Sequence, residues 1–157
     1  MLQNTETAAA LTGYTPTEED LRSLEEWFAA YDGLASSPTP ENIERMADMA
    51  VFPLNLVTDG SDGDGRTAQW DRQRYTGTMN AVMGGGGEEG VRFESARTPF
   101  LLSPCLAVVF TDSVMTTAGG EEHRMRYADI LVRRDGVWRF QTMVQGGWAG
   151  MLEERRD

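Results

Sequence analysis

A pair of alternating strands around Asp135-Gly136 constrains this chain more than any other stretch. Residues 123–144 read HRMRYADILVRRDGVWRFQTMV. An Asp-Gly pair between two such runs favours a type I′ turn, because both central positions of that turn need positive φ. The turn places Leu131 opposite Phe140, and side chains alternate between the two faces of a strand. The sequence therefore predicts a β-hairpin with one aromatic-rich face.

The aromatic-rich face of this hairpin carries a carboxylate. Its predicted members are Tyr127, Asp129, Leu131, Trp138, Phe140 and Val144. Asp129 lies in the middle, and a carboxylate among apolar side chains is costly unless it is satisfied or used. We interpret this face as a pocket face and Asp129 as a candidate functional residue. The alternative is a structural role, with Asp129 bonded to Tyr127 or to a backbone N–H.

The remaining pattern predicts a single α+β domain. The chain has 157 residues, enough to bury one core. Helices are predicted to begin at Thr15, Thr39 and Asp71, with a short strand at residues 51–57 and four antiparallel strands from residue 91 onward. We expect residues 1–14 to form a flexible tail, residues 15–150 the domain, residues 84–87 a flexible glycine connector, and residues 151–157 a second tail.

Composition argues against several classes of partner, although arginines cluster on the hairpin at Arg124, Arg126, Arg133, Arg134 and Arg139. A net charge of −11 argues against nucleic acid and anionic membranes, since both select basic surfaces. No segment resembles a secretion signal or a membrane span, so we expect a cytoplasmic protein. Cys105 is the single cysteine and excludes an internal disulfide. One histidine without a cysteine pair leaves too few strong ligands for a metal, so no metal is expected.

A second turn extends the predicted register. If Gly119 and Gly120 are its central pair, Asp112 and Phe110 share the face of Asp129. The two carboxylates would then be diagonal neighbours, with Cβ atoms about 6–8 Å apart. Alternatively, a bulge turns Asp112 to solvent.

The next turn, at Ser103-Pro104, brings Arg97 beside Phe110 on the same face. A slip of one residue would send Arg97 to the opposite face, because side chains alternate.

These residue types favour acid–base chemistry. A carboxylate in an apolar cavity has a raised pKa, and two carboxylates can divide the roles of acid and base. An arginine either holds one carboxylate as an anion or stabilises an oxyanion. His123 is a further candidate proton carrier, although its position near the hairpin end also fits an exposed histidine without a role.

The element order and the ending YADILVRRDGVWRFQTMVQ resemble the nuclear transport factor 2-like superfamily. It includes SnoaL-like polyketide cyclases, ketosteroid isomerases and limonene-type epoxide hydrolases. The resemblance covers residues 15–148. It implies a cone-shaped, curved antiparallel sheet wrapped around N-terminal helices, with a pocket in the mouth. It also implies a homodimer through the outer sheet face, which the predicted register assigns to Ala128, Ile130, Val132, Gln141 and Met143.

The resemblance transfers only some functional residues. Asp129 matches the aspartate that isomerases and several cyclases place on this strand. The isomerase base has no match, since its place falls near Leu54 or Asn55, and Trp27 stands where its helix tyrosine is expected, with Tyr31 one turn later.

The epoxide hydrolase group combines Asp, Arg and Asp with a Tyr and an Asn that hold water. The matching residue types are Asn55, Arg97, Asp112, Tyr127 and Asp129, but Tyr127 stands where the arginine would fall.

The leading hypothesis, implied by the resemblance to SnoaL-like cyclases, is a cofactor-independent cyclase or isomerase. It would act on an apolar intermediate of polyketide-type secondary metabolism. Asp129 would be the acid or base, Asp112 its partner, and Tyr127 and Arg97 would orient the substrate. The substrate-binding candidates are Trp27, Tyr31, Asn55, Phe110, His123, Leu131, Trp138 and Phe140.

Two alternatives stay open. One is an epoxide hydrolase or epoxide-opening ether cyclase that uses the same acid pair. The other is a non-catalytic binding or dimerisation module, in which partners would satisfy Asp129 and Asp112. An enzyme predicts an enclosed apolar cavity of at least ~300 Å³ that touches Asp129.

Overall fold

The computed structural model describes residues 1–83 and 92–147, and the predicted glycine connector and C-terminal tail lie outside these residues. The described helices are α1 (Thr5–Thr12), α2 (Glu18–Ala35), α3 (Pro40–Asp48) and α4 (Arg72–Met83). The described strands are β1 (Ala50–Asp59), β2 (Gly65–Trp70), β3 (Arg92–Ser103), β4 (Leu106–Thr116), β5 (Glu122–Arg134) and β6 (Val137–Gln145). Neither α1 nor β2 is among the predicted elements.

The strands form one curved, unclosed sheet in the order β2-β1-β6-β5-β4-β3. Neighbours are antiparallel except for β1 and β6, which run parallel, so the sheet is mixed rather than purely antiparallel. Helices α2, α3 and α4 cover its inner face, where Leu24, Ile43, Leu54 and Leu131 are fully buried. This arrangement confirms the predicted α+β fold.

Side-chain caps explain where the helices begin. Thr39 caps α3 and Asp71 caps α4, as the sequence predicts. The capping box of α2 lies two residues later than predicted: the Thr17 hydroxyl accepts from the Asp20 N–H, and the Asp20 carboxylate accepts from the Thr17 N–H. The helix therefore begins at Glu18.

The hairpin turn is confirmed, but β6 contains a bulge. Asp135 and Gly136 both have positive φ, as a type I′ turn requires. Leu131 pairs with Phe140 and Ile130 pairs with Thr142, so one extra residue lies between them on β6.

This bulge reverses the predicted faces of the last residues of β6. Asp129 pairs with Met143, not with Thr142, and Met143 is buried on the inner face. Val144 takes the outer face and is partly exposed. The predicted positions of Met143 and Val144 are therefore wrong.

The predicted register of β4 on β5 is wrong by one residue. The loop has three residues, 118–120, closed by the Thr117 N–H donating to the Glu121 carbonyl, and only Gly120 has positive φ. Asp112 therefore pairs with Arg126, and Val109 pairs with Asp129. Because the side-chain period is two, this slip moves every β4 side chain to the face opposite the predicted one.

Residues 1–14 lie on the edge of the sheet instead of forming a loose tail. The Arg97 N–H donates to the Met1 carbonyl, and the Gln3 N–H donates to the Arg97 carbonyl. Helix α1 then packs against β3. These contacts satisfy backbone groups on an edge strand that would otherwise be open.

Core packing at the hairpin can be tested with two leucines. We expect Leu131→Ala to lower the free energy of unfolding by about 2–5 kcal/mol, because Leu131 is fully buried among apolar side chains. The measurement is urea unfolding followed by circular dichroism. Leu102→Ala is the matched control on β3, where the side chain is 59% exposed, and we expect a change within about 0.5 kcal/mol. Equal losses in both variants would contradict this packing.

Candidate active site

A cavity of about 180 Å³ lies between the helices and the inner face of the sheet. Its walls are mostly apolar and rich in methionine. The lining residues are Phe28, Tyr31, Met46, Tyr75, Met79, Met83, Arg97, Met125, Tyr127, Asp129, Phe140, Met143 and Gln145. Flexible methionine side chains adapt to irregular apolar shapes. The cavity therefore suits a compact apolar ligand.

The acidic residue among the described lining residues of the cavity is Asp129 on β5. Its side chain is 5% exposed, and no hydrogen bond to its carboxylate occurs within the described part of the chain. Burial raises the pKa of Asp129 to about 7, although the nearby Arg97 lowers it. Both protonation states are therefore accessible near neutral pH, which an acid–base group requires.

Arg97 lies on β3 and is 2% exposed. Its two terminal nitrogens donate to the two carboxylate oxygens of Asp32 on α2, at 2.6 and 2.7 Å. The guanidinium also packs over the ring of Phe28, 4.1 Å from the ring centroid. The ion pair with Asp32 raises the pKa of Arg97 although burial opposes it, so Arg97 stays charged.

Two tyrosines stand beside Asp129 in the cavity wall. Burial raises the pKa of Tyr31 and of Tyr127, so both keep their hydroxyl protons at neutral pH. A neutral tyrosine is a hydrogen-bond donor, and such donors stabilise an oxyanion that develops on a bound molecule.

A larger space adjoins this cavity, and we call it the vestibule. It has a volume of about 490 Å³ and shares Tyr31, Met83, Met125 and Tyr127 with the inner cavity. Its other lining residues are more polar: Asp32, Ala35, Ser36, Arg92, Phe93, Glu94, Ser95 and Ser113. The inner cavity alone is smaller than the predicted ~300 Å³.

The structure brings five of the predicted site residues together. Tyr31, Arg97, Tyr127, Asp129 and Phe140 all line the inner cavity. Arg97 reaches this face although the predicted register beside Phe110 is wrong, since it pairs with Thr111.

Asp112 and Phe110 do not share the face of Asp129. The one-residue slip of β4 places both on the outer face, where Phe110 is 53% exposed. Asp112 forms an ion pair with Arg124 there, which lowers the pKa of its carboxyl. The prediction of a carboxylate pair in the pocket is therefore wrong.

The other predicted binding residues also lie away from the cavity. Asn55 is on the opposite face of β1 from the buried Leu54 and Leu56, and it bonds to Gln69 and Thr142. His123 is exposed at the start of β5, near Glu121.

The remaining aromatic and aliphatic candidates belong to the packed core. Trp138 is buried and donates to the Ser23 hydroxyl at 3.0 Å. Leu131 is fully buried, and Trp27 packs against Phe140 at 4.7 Å between ring centroids. Of these side chains, Trp27 also stacks on Tyr31, so it contacts two lining residues of the cavity.

Sequence reasoning missed Asp32 and most of the methionines. Asp32 lies four residues after Phe28 on α2, so an acidic residue on the apolar stripe of this helix was the available signal. Met125 lies on the face of Tyr127 and Asp129 by simple alternation along β5. Met46, Met79 and Met83 come from α3 and α4, whose approach to the sheet no local pattern indicates.

Comparison with protein families and with curated proteins finds no match for this sequence. Solved structures do match. A provisionally assigned scytalone dehydratase from Novosphingobium aromaticivorans has 18% identity and a TM-score of 0.57, with 79% of this chain and 80% of that chain covered. The protein Aln2 from a Streptomyces species has 15% identity and a TM-score of 0.56, with 89% of this chain and 99% of that chain covered.

A third similar structure comes from Nostoc punctiforme. This protein of unknown function with a cystatin-like fold has 13% identity and a TM-score of 0.60, with 83% of this chain and 92% of that chain covered. Together with the helix-covered sheet and its inner cavity, these likenesses show that the chain has the nuclear transport factor 2-like fold.

Residues 1–83 and 92–147 contain no cluster of three His, Cys, Asp or Glu side chains that would hold a metal ion. No helix in these two ranges combines the length and the apolar content that crossing a membrane requires.

The burial of Asp129 predicts a pH-dependent stability. Its pKa rises from 3.8 to about 7 on folding, so the folded state binds the proton more tightly than the unfolded chain. The free energy of unfolding should therefore fall as pH rises from about 4 to about 7, by at most about 4 kcal/mol. We expect Asp129→Asn to remove this fall and to be more stable than wild type at pH 8, with the difference vanishing below about pH 4.

Urea unfolding of both proteins at four pH values measures this effect. Asp112→Asn is the matched control, because its carboxylate lies on the outer face. A wild type whose stability relative to Asp129→Asn does not change with pH would contradict the buried, protonatable Asp129.

Proposed function

We propose that this protein is a cofactor-independent enzyme of the cyclase or isomerase type, acting by acid–base catalysis on a small, largely apolar molecule. Asp129 is the acid–base group. The observation that carries this proposal is a buried carboxyl without a hydrogen-bond partner in the described chain, placed on a cavity and with a pKa of about 7. We infer a polyketide-type intermediate of secondary metabolism as the substrate class, which the largely apolar lining of the cavity supports.

The chemistry follows from the groups around the cavity. The Asp129 carboxylate takes a proton from a carbon next to a substrate carbonyl. The negative charge then moves to the carbonyl oxygen, to which the hydroxyls of Tyr31 and Tyr127 donate hydrogen bonds. Asp129 returns the proton at another carbon in an isomerisation. In a cyclisation, the enolate carbon attacks an electrophilic carbon of the same molecule and Asp129 protonates the oxygen that this attack makes anionic.

The fold is compatible with such chemistry, since one protein that shares it is provisionally assigned as a scytalone dehydratase. The non-catalytic alternative predicts partners for both Asp129 and Asp112. Asp112 has such a partner in Arg124, but Asp129 has none in residues 1–83 and 92–147. The unpartnered Asp129 favours an enzyme.

Epoxide opening stays the second candidate, although only some of the residues predicted for it line the cavity. Arg97, Tyr127 and Asp129 all line the cavity. Asp112 and Asn55, which the epoxide hydrolase resemblance also used, lie on other surfaces. Asp129 is therefore available as an acid that protonates the epoxide oxygen. Asp112 is not available as the second carboxylate, but Asp32, which binds Arg97 and lines the vestibule, lies nearby.

The test compares Asp129→Asn with Asp112→Asn on two probes. The first probe is 2-tetralone in D₂O, with exchange of the hydrogens next to its carbonyl followed by NMR. The second is hydration of limonene oxide. We expect wild type and Asp112→Asn to catalyse exchange equally and Asp129→Asn to be slower by about 10²–10⁴-fold, because the general acid–base group is removed.

Other outcomes separate the alternatives. Hydration without exchange, lost in Asp129→Asn, would support epoxide opening. Binding of 2-tetralone by all three proteins without either reaction would support a binding module. Undiminished exchange in Asp129→Asn would refute the role of Asp129.

We also propose that the protein forms a homodimer through the outer sheet face. Phe110, Ile130 and Val144 are exposed there, and Phe100 packs edge-on against Phe110 at 5.6 Å between ring centroids. Exposed apolar patches mark interaction sites. The same face carries the oppositely charged Asp112, Arg124 and Arg126, which suits pairing with a second copy about a two-fold axis.

Sedimentation velocity tests this dimer. We expect Phe110→Arg to sediment as a monomer at micromolar concentration, because each copy would bring a charged side chain into the apolar contact. Leu11→Arg on α1 is the matched control, since Leu11 is also exposed but lies off the sheet face. A dimer that persists in Phe110→Arg would contradict this interface.

A further inference from the structure

The two partners of the ion pair between Asp32 and Arg97 differ greatly in solvent exposure. The Arg97 side chain is 2% exposed, whereas the Asp32 side chain is 45% exposed where it lines the vestibule. Both carboxylate oxygens of Asp32 accept from Arg97, a bidentate geometry that holds the guanidinium plane in one orientation. The ion pair thus joins a partly exposed carboxylate, Asp32, to a buried guanidinium, Arg97.

Other contacts hold Arg97 from its remaining sides. Its backbone N–H and carbonyl pair with Met1 and Gln3 at the edge of β3. The guanidinium packs on the ring of Phe28. Its Nε has no hydrogen-bond partner in the described chain. The cation is therefore fixed in the cavity wall, and its main electrostatic compensation comes from Asp32.

We propose that Asp32 is a positioning residue, which binds the Arg97 guanidinium by both terminal nitrogens and thereby prevents it from forming an ion pair with Asp129. This inference rests on the proposed function, since it concerns the protonation of the acid–base group. Asp32 acts through Arg97 and not on the substrate.

The groups that face Asp129 leave Arg97 as the decisive charge. Tyr31 comes from α2, Tyr75 from α4, and Tyr127 from the strand of Asp129 itself, whereas Asp32 lines the vestibule. The three tyrosines are neutral, since burial raises the pKa of each.

The other walls add no charge. Helix α3 contributes Met46, and β6 contributes Phe140, Met143 and Gln145. Arg97 is thus the one cation among the described lining residues of the inner cavity. When Asp32 neutralises the charge of Arg97, the pKa of Asp129 is lowered only slightly. When Asp32 is uncharged, the full positive charge favours the Asp129 carboxylate.

The experiment is a carboxyl-detected NMR titration of Asp129 in the full chain. In Asp32→Asn, we expect the titration of Asp129 to move to lower pH by about one unit or more, since an amide cannot neutralise the guanidinium. The acidic limb of the 2-tetralone exchange profile should move in the same direction. Asp32→Glu, which keeps the charge, should restore most of the wild-type titration.

Two further variants control this result. Asp48, the last residue of α3, is 66% exposed and forms an ion pair with Arg72 on α4. Asp48→Asn removes this carboxylate and should leave the Asp129 titration unchanged. Arg97→Met should raise the titration of Asp129, and adding Asp32→Asn to Arg97→Met should change nothing more. The double variant also avoids an unpaired buried charge, so it keeps the test available if Asp32→Asn does not fold.

The outcomes separate this inference from the proposed function. A wild-type Asp129 that titrates near the ordinary value of about 4 would refute the proposed function. A wild-type titration near 7 that stays unchanged in Asp32→Asn would refute only the positioning role of Asp32. An effect of Asp32→Asn that persists in the Arg97→Met background would refute it too, since Asp32 would then act without Arg97.

Discussion

The described inner face of the sheet carries two ionisable side chains that water scarcely reaches, Arg97 and Asp129, and their lost hydration has to be compensated within the protein. For Arg97, the bidentate ion pair with Asp32 and the contact with the ring of Phe28 compensate for the lost hydration. Asp129 has no such partner in the described chain, so its neutral form is favoured instead. The cavity owes its chemical character to this difference between two buried ionisable groups, one compensated and one not.

The surrounding scaffold keeps that difference in place. Helix α2, which begins after the capping box at Thr17, supplies Phe28, Tyr31 and Asp32. On the other side, the N-terminal residues pair with the backbone of β3 beside Arg97. Methionines from α3, α4, β5 and β6 fill the remaining wall with polarizable, adaptable groups. The cavity thus combines a wall that holds Arg97 and Asp129 with a wall of adaptable methionines. Such a lining suits an apolar ligand with one reactive polar group.

The site was predictable where a local signal specified the register. The Asp135-Gly136 turn aligned Leu131 with Phe140, and alternation then placed Tyr127 and Asp129 on one face. Those assignments depend on a tight turn with a single good geometry.

Where the turn admitted two geometries, the prediction failed. Residues 118–120 form a three-residue loop, whereas a two-residue turn on Gly119-Gly120 was expected, and Asp112 consequently lies on the outer face. A bulge on β6 likewise exchanged Met143 and Val144. Both errors have the same origin, since a one-residue change in a period-two pattern reverses the face of every later side chain.

The sequence by itself determined the class of fold, the hairpin and the presence of a carboxylate among apolar side chains, because these follow from short-range periodicity and turn chemistry. Only the tertiary structure decided that Asp32 meets Arg97 across 65 positions of chain and that Asp129 meets no partner in the described residues. Such meetings depend on how helices cross a curved sheet. No local pattern encodes that crossing, because it results from the packing of the whole core.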